Sequence, residues 1–188
     1  VKKFLIKDLM VPLSEYATVP RGATLFDAVL ALEKAQEEFD HTKYRHRGVL
    51  VLDNDGQVVG KLGQLDVLQA LEPKYREMGE IGQLRRFGFS PKFIKNMKHQ
   101  YRLLDAPLHD ICRKAAKIKV EDFMQTLSEG EYVELNATLD VAIHQLVLGH
   151  HMALLVTDGA QIKGILRLTD VFAAVFHAMK ECERPLPE

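Results

Sequence analysis

The chain has 188 residues, 47% apolar and 27% charged, with 25 Lys and Arg against 26 Asp and Glu. That length allows one compact module or two small lobes with a sizeable core, and a net charge of −1 supplies no global field to recruit nucleic acid or an anionic membrane. Cys112 and Cys182 form neither a metal-type spacing nor a disulfide framework, no apolar run approaches the ~20 residues of a membrane span, and no signal peptide opens the chain, so a cytoplasmic location is expected.

The chain opens on a turn-like piece, Lys7 to Met10, followed by Pro12 and a short extended stretch, Tyr16 to Val19. Thr24 is a good helix N-cap with Asp27 three residues on, and Leu25, Ala28, Val29 and Leu32 follow helical spacing. Gly48 to Leu52 is a continuous apolar run, Asp53-Asn54-Asp55-Gly56 a strong turn, and Val58-Val59-Gly60 the start of a return strand, so this segment predicts a hairpin. Asp66 to Leu71 begins a second helix that ends near Pro73. The stretch from Glu72 to Lys119 is too long for a structureless connection. Its patterning, with Phe93, Ile94, Met97 and Tyr101 in one piece and Leu108, Ile111, Cys112 and Ala115 in another, predicts two or three short helices. Tyr132 to Leu135 is again a short strand, Thr138 caps a helix carrying Leu139, Ala142, Ile143 and Leu146, Ala153 to Thr157 is a buried strand, Asp158-Gly159 a turn, Ile162 to Leu166 the return strand, and Thr169 to Met179 a helix.

The second half repeats the first. Val120 to Met124 echoes Ile6 to Met10, and Gly164 to Val171 echoes Gly60 to Val67. Asp122 follows Asp8 by 114 positions, as Thr138 follows Thr24; after the first helix the offset falls to 105, so repeat one holds nine extra residues around Glu37 to Arg47. A repeated unit that cannot bury its apolar face alone implies mutual packing and a seam between the copies, and such seams favour small-molecule sites. The division is residues 1–71 for repeat one, 72–119 for a helical insertion, 120–180 for repeat two and 181–188 for a tail. Val1 in place of Met reads as a fragment, with any catalytic domain outside it.

This β-α-β-β-α unit, with Asp8-Leu9-Met10 and Asp122-Phe123-Met124 at its start and Gly60 to Asp66 or Gly164 to Asp170 at its end, resembles the cystathionine β-synthase (CBS) domain, and the tandem pair resembles a Bateman module. The resemblance implies an α/β fold with two repeats packed about a pseudo-twofold axis, a homodimer, and a non-catalytic sensor binding an adenosine-type nucleotide (AMP, ATP or S-adenosylmethionine) at the seam. No cofactor is required, and a regulated partner protein is a further expectation. The closing aspartates, Asp170 and Asp66, would accept hydrogen bonds from ribose. Thr169 supplies a hydroxyl just before Asp170, and Arg167 stands where the family often has Ser or Thr. Arg167 reads as a phosphate clamp or as a solvated surface arginine. In repeat one, Gly63 and Leu65 remove both hydroxyl positions, so the repeat-two cleft is favoured. Tyr132 and Leu154 are placed at the ligand by the same resemblance, and Arg47, with Arg45 and His46, stands where the family sometimes puts phosphate-contacting basic residues.

Asp170 and Asp66 serve equally well as first-turn acids of a helix. His41, His46, His144, His150 and His151 have no metal-ligand spacing and read as solvated histidines. The basic stretch Arg85 to Arg102, interleaved with Phe87, Phe89 and Phe93, reads as an amphipathic helix rather than a nucleic-acid surface. No nucleophile elbow, P-loop or dinucleotide fingerprint appears. The alternative to a sensor is a ligand-free scaffold for dimerisation or partner docking.

Overall fold

The structure is a computed structural model that describes residues 4–38, 45–72, 74, 90–101 and 110–182. The expectations for His41, Arg85, Arg86, Phe87, Phe89, Arg102 and Leu108 fall outside these residues.

The described elements are strands β1 (Val11–Pro12), β2 (Thr18–Pro20), β3 (Gly48–Leu52), β4 (Val58–Gly63), β5 (Tyr132–Glu134), β6 (Ala153–Asp158) and β7 (Gln161–Arg167), and helices α1 (Leu25–Glu38), α2 (Gln64–Leu71), α3 (Pro91–Tyr101), α4 (Ile111–Ala115), α5 (Leu139–Gly149) and α6 (Leu168–Cys182). They form a mixed α/β fold with two sheets, one ordered β1-β7-β6-β5 and the other β2-β3-β4. Within each repeat a short strand pairs in parallel with a central strand, which then pairs antiparallel with the return strand. Both hairpins carry a register shift at the same place, after Val51 in one and Val156 in the other.

Local chemistry accounts for most of these elements. Thr24 and Asp27 form a reciprocal capping box: the Asp27 carboxylate accepts from the Thr24 N–H at 2.8 Å, and the Thr24 hydroxyl accepts from the Asp27 N–H at 3.2 Å. Thr138 occupies the same position at α5 but makes no side-chain cap bond, and Val141, standing where Asp27 does in repeat one, has no carboxylate to complete a capping box. The first hairpin turns at Gly56, whose φ of 75° suits glycine, while the Asp53 carboxylate accepts from the N–H groups of Asp55 and Gln57.

The opening segment of each repeat packs on the other repeat. Ile6 and Lys7 donate backbone hydrogen bonds to Ala137 and Leu135, and Val120, which follows Ile6 by 114 positions, donates to Ala23. Val11 pairs with Ile165 on β7, and Gln125, again 114 positions on, pairs with Lys61 on β4. The cores follow this exchange. Val120, Phe123 and Met124 pack with Leu25, Val51 and Leu62 of repeat one, while Ile6, Leu9 and Met10 pack with Val133, Leu154 and Leu166 of repeat two. Ile6 and Val120 are both fully buried, each worth about 2 kcal/mol of apolar transfer. A third apolar layer, with Val11, Leu50, Leu155 and Ile165 at its centre, joins the two sheets at the seam.

The exchange gives the repeated glycines and methionines a physical role. A Cβ on Gly164 would collide with the carbonyl oxygen of Val11 and come within 3.2 Å of the Met10 sulfur. A Cβ on Gly60 would meet the Met124 sulfur at 2.6 Å and the Gln125 carbonyl oxygen at 3.1 Å. Each glycine is the gap over which the other repeat's opening segment passes.

Candidate functional site

A cavity of about 630 Å³ lies across the seam and draws matching positions from the two repeats. Gly48 and Ala153 open the central strands, Gly63 and Arg167 close the return strands, and Leu65 and Thr169 begin the following helices. Leu50, Leu62 and Ile165 give it apolar walls, and Arg45, Arg47 and Lys61 give it a cationic lining, with His150 and His151 beside them. Arg45 and Arg47 are exposed. His150 ends α5 in the left-handed conformation, φ 50°, and its own N–H bonds back to Val147. A non-glycine residue held there stores backbone strain at the rim of the cavity.

Both closing aspartates are engaged, in different ways. The Asp66 carboxylate accepts the Gly63 N–H at 2.7 Å through one oxygen and the Gln125 amide at 2.8 Å through the other. The Asp170 carboxylate is gripped by a guanidinium: Arg167 Nε donates to Oδ2 at 2.7 Å and Nη2 to Oδ1 at 2.6 Å. The Arg167 N–H also reaches Oδ2 at 3.2 Å, and Nη1 lies 3.3 Å from His46 Nδ1. Arg167 is thus not a solvated surface arginine; it is 5% exposed and tied to the aspartate of its own helix start. The sequence could not show this, since an arginine three residues before an aspartate says nothing of which way its side chain folds.

His46 also departs from expectation. It is 1% exposed and set edge-on against Tyr16, ring centroids 4.6 Å apart. Burial, reinforced by the Arg167 charge, lowers its pKa to about 4 despite a hydrogen bond with the Glu15 backbone and the Asp170 charge. It is therefore neutral, with Nδ1 accepting from Arg167. Burial likewise pushes the Tyr16 hydroxyl up to about 12. His151, the counterpart of His46 in repeat two, lies beside Glu131, its Nδ1 3.7 Å from a carboxylate oxygen. Burial alone would raise the Glu131 carboxyl, but the Lys61 ammonium and the Ser128 N–H and hydroxyl outweigh it and hold the group below its ordinary range.

Of the expected site residues, Asp66, Arg47, Arg167 and Thr169 line the cavity. Leu154 does not: strand alternation turns its fully buried side chain into the second core, and its neighbour Ala153 faces the cavity instead. Tyr132 packs in the layer between the sheets, with its carbonyl accepting from Gln145, and does not line this cavity either. Asp170 is also absent from the lining, its carboxylate bound by Arg167. The helix starts offer less to an anion than a bare strand-to-helix junction implies. The Gln64 N–H is taken by the Arg47 carbonyl and the Leu168 N–H by that of Met152.

Gln125, Lys61 and Glu131 were not singled out from the sequence. Gln125 carried a usable signal, because it falls 114 positions after Val11 and replaces an apolar residue where the opening segment meets the other repeat. Among the described residues, no group of His, Cys, Asp and Glu is arranged to hold a metal ion, and no helix is long and apolar enough to cross a membrane.

Residues 6–73 match the CBS domain family model. No curated protein matches the chain. Among solved structures, a CBS domain-containing protein of unknown function from Bacillus anthracis superposes with a TM-score of 0.59 at 16% identity, covering 93% of this chain and 94% of that one. The CBS-pair protein CBSX2 from Arabidopsis thaliana gives 0.58 at 17% identity, with 95% and 99% covered. CBSX2 in complex with AMP gives 0.55 at 19% identity, with 94% and 98% covered. Residues 6–73 thus carry the CBS domain pattern, and the two repeats, their exchanged opening segments and the cavity on their seam give the chain the fold of the CBS-pair proteins, consistent with a tandem CBS (Bateman) module.

Proposed function

We propose that the chain is a regulatory module that takes an adenosine-type nucleotide in the seam cavity. The observation that carries this reading is the cavity's composition: apolar walls from the central and return strands, a carboxylate at Asp66, and exposed Arg45 and Arg47 at the rim. A purine fits between the apolar strands. The ribose hydroxyls donate to Asp66, replacing the Gln125 amide, and the phosphate meets Arg45 and Arg47, whose guanidinium groups match phosphate oxygens. That one similar fold is known in complex with AMP supports the choice of ligand. A ligand touching both repeats shifts their relative packing by its differential affinity for the two arrangements, which is how such a module passes a signal to a partner.

Thermal unfolding with AMP, ADP, ATP and S-adenosylmethionine tests this. At least one of them should raise Tm at millimolar concentration by mass action on the folded state. Arg47→Ala should weaken that ligand by about tenfold, the loss of one charge-assisted hydrogen bond.

A second reading, the ligand-free scaffold, has its own observation. Leu65 and Leu68 on α2, Val147 and Leu148 on α5, and Phe172, Phe176 and Met179 on α6 are exposed apolar side chains of the kind that cover protein contacts. The titration separates the two, because a scaffold without a ligand gives no thermal response to any of the four compounds.

A further inference from the structure

We infer that Arg167 occupies its own end of the cavity, so that the module takes one nucleotide per chain, at the Asp66 end. This rests on the nucleotide reading above and specifies the stoichiometry of that same site. The two ends are matched position for position, Gly63 with Arg167 and Asp66 with Asp170, 104 residues apart in each case. Only the side chain at the first of these positions differs in kind. Gly63 puts no side chain against Asp66, which is buried yet lines the cavity, one carboxylate oxygen accepting the Gly63 N–H and the other the neutral amide of exposed Gln125. Exchanging that amide for a ribose hydroxyl replaces one neutral donor by another and is nearly balanced.

At the other end both oxygens of Asp170 are held by one guanidinium, and that guanidinium is buried and reaches His46 across the seam. A ribose there would have to break a bidentate charged pair and leave an arginine buried without its counter-charge. The hydroxyl of Thr169, which lines the cavity close by, does not change this, because both oxygens of Asp170 remain bound to Arg167. The guanidinium stands in the place of the ligand, and the two-site plan of the repeat is reduced to one site by a single side chain.

Calorimetric titration with AMP tests this on the full chain. The wild type should bind one AMP per chain, and Arg167→Ser, with its fold checked by circular dichroism, should bind two. Asp66→Asn should lower AMP affinity by about tenfold or more, while Asp170→Asn stays within about twofold of the wild type; this pair decides the matter if the serine variant does not fold. Two AMP per wild-type chain, a folded serine variant that still binds one, or equal losses in the two asparagine variants would overturn the inference while leaving nucleotide binding intact. No AMP binding by any form would overturn the nucleotide reading and this inference with it.

Discussion

His46 shows how burial decides what a polar residue does. The same imidazole on a loop would titrate near 6.5, but beneath Tyr16 and against Arg167 it titrates at about 4. The unfolded chain therefore binds the extra proton between those values. The associated stabilisation is whole above about pH 6.5 and is lost as the pH falls towards 4, at most about 3 kcal/mol. Glu131, held below its ordinary range by Lys61 and Ser128, loses its own contribution only as the pH falls through its folded value, so the interval from pH 6.5 to 5 reports mainly on His46. Tm should fall over that interval in the wild type and fall less in His46→Gln; equal slopes would show that the histidine is not held neutral. The sequence placed His46 beside a strand but gave no hint of its cover. That cover comes from Tyr16, thirty positions earlier, and from Arg167 in the other repeat.

Elements were the scale at which the sequence spoke most clearly. Local rules set the start of α1 through Thr24 and Asp27, the turn at Gly56, and the hairpins through continuous apolar runs. The exchange of the opening segments was not legible, because pattern and propensity describe what a segment does and not which copy of the repeat it joins. The exchange predicts unequal costs for equal changes. Gly164→Ala drives a Cβ into the Val11 backbone, which cannot move without breaking the β1–β7 pairing, whereas Gly60→Ala mainly displaces the flexible end of Met124. Chemical denaturation should show a loss of about 3 kcal/mol or more for Gly164→Ala and a smaller loss for Gly60→Ala. Equal losses would mean that β1 is not held against β7.

Over the whole molecule, polar links cross the seam beside the cavity, among them Arg167 to His46, Lys61 to Glu131 and Gln125 to Asp66. Together with the apolar layer of Leu50, Leu155 and Ile165 they fix how the repeats face one another. A ligand in the cavity touches the same elements, so binding and inter-repeat packing share their contacts. The duplicated plan was visible in the sequence from residue offsets alone. The inequality of the two ends was not, because it depends on one arginine turning inwards. The most direct measurement is a crystal structure of the chain grown with millimolar AMP. The account predicts ribose hydroxyls on Asp66, the Gln125 amide displaced, and phosphate against Arg45 and Arg47. AMP bound away from the seam, or a seam left empty at that concentration, would contradict it.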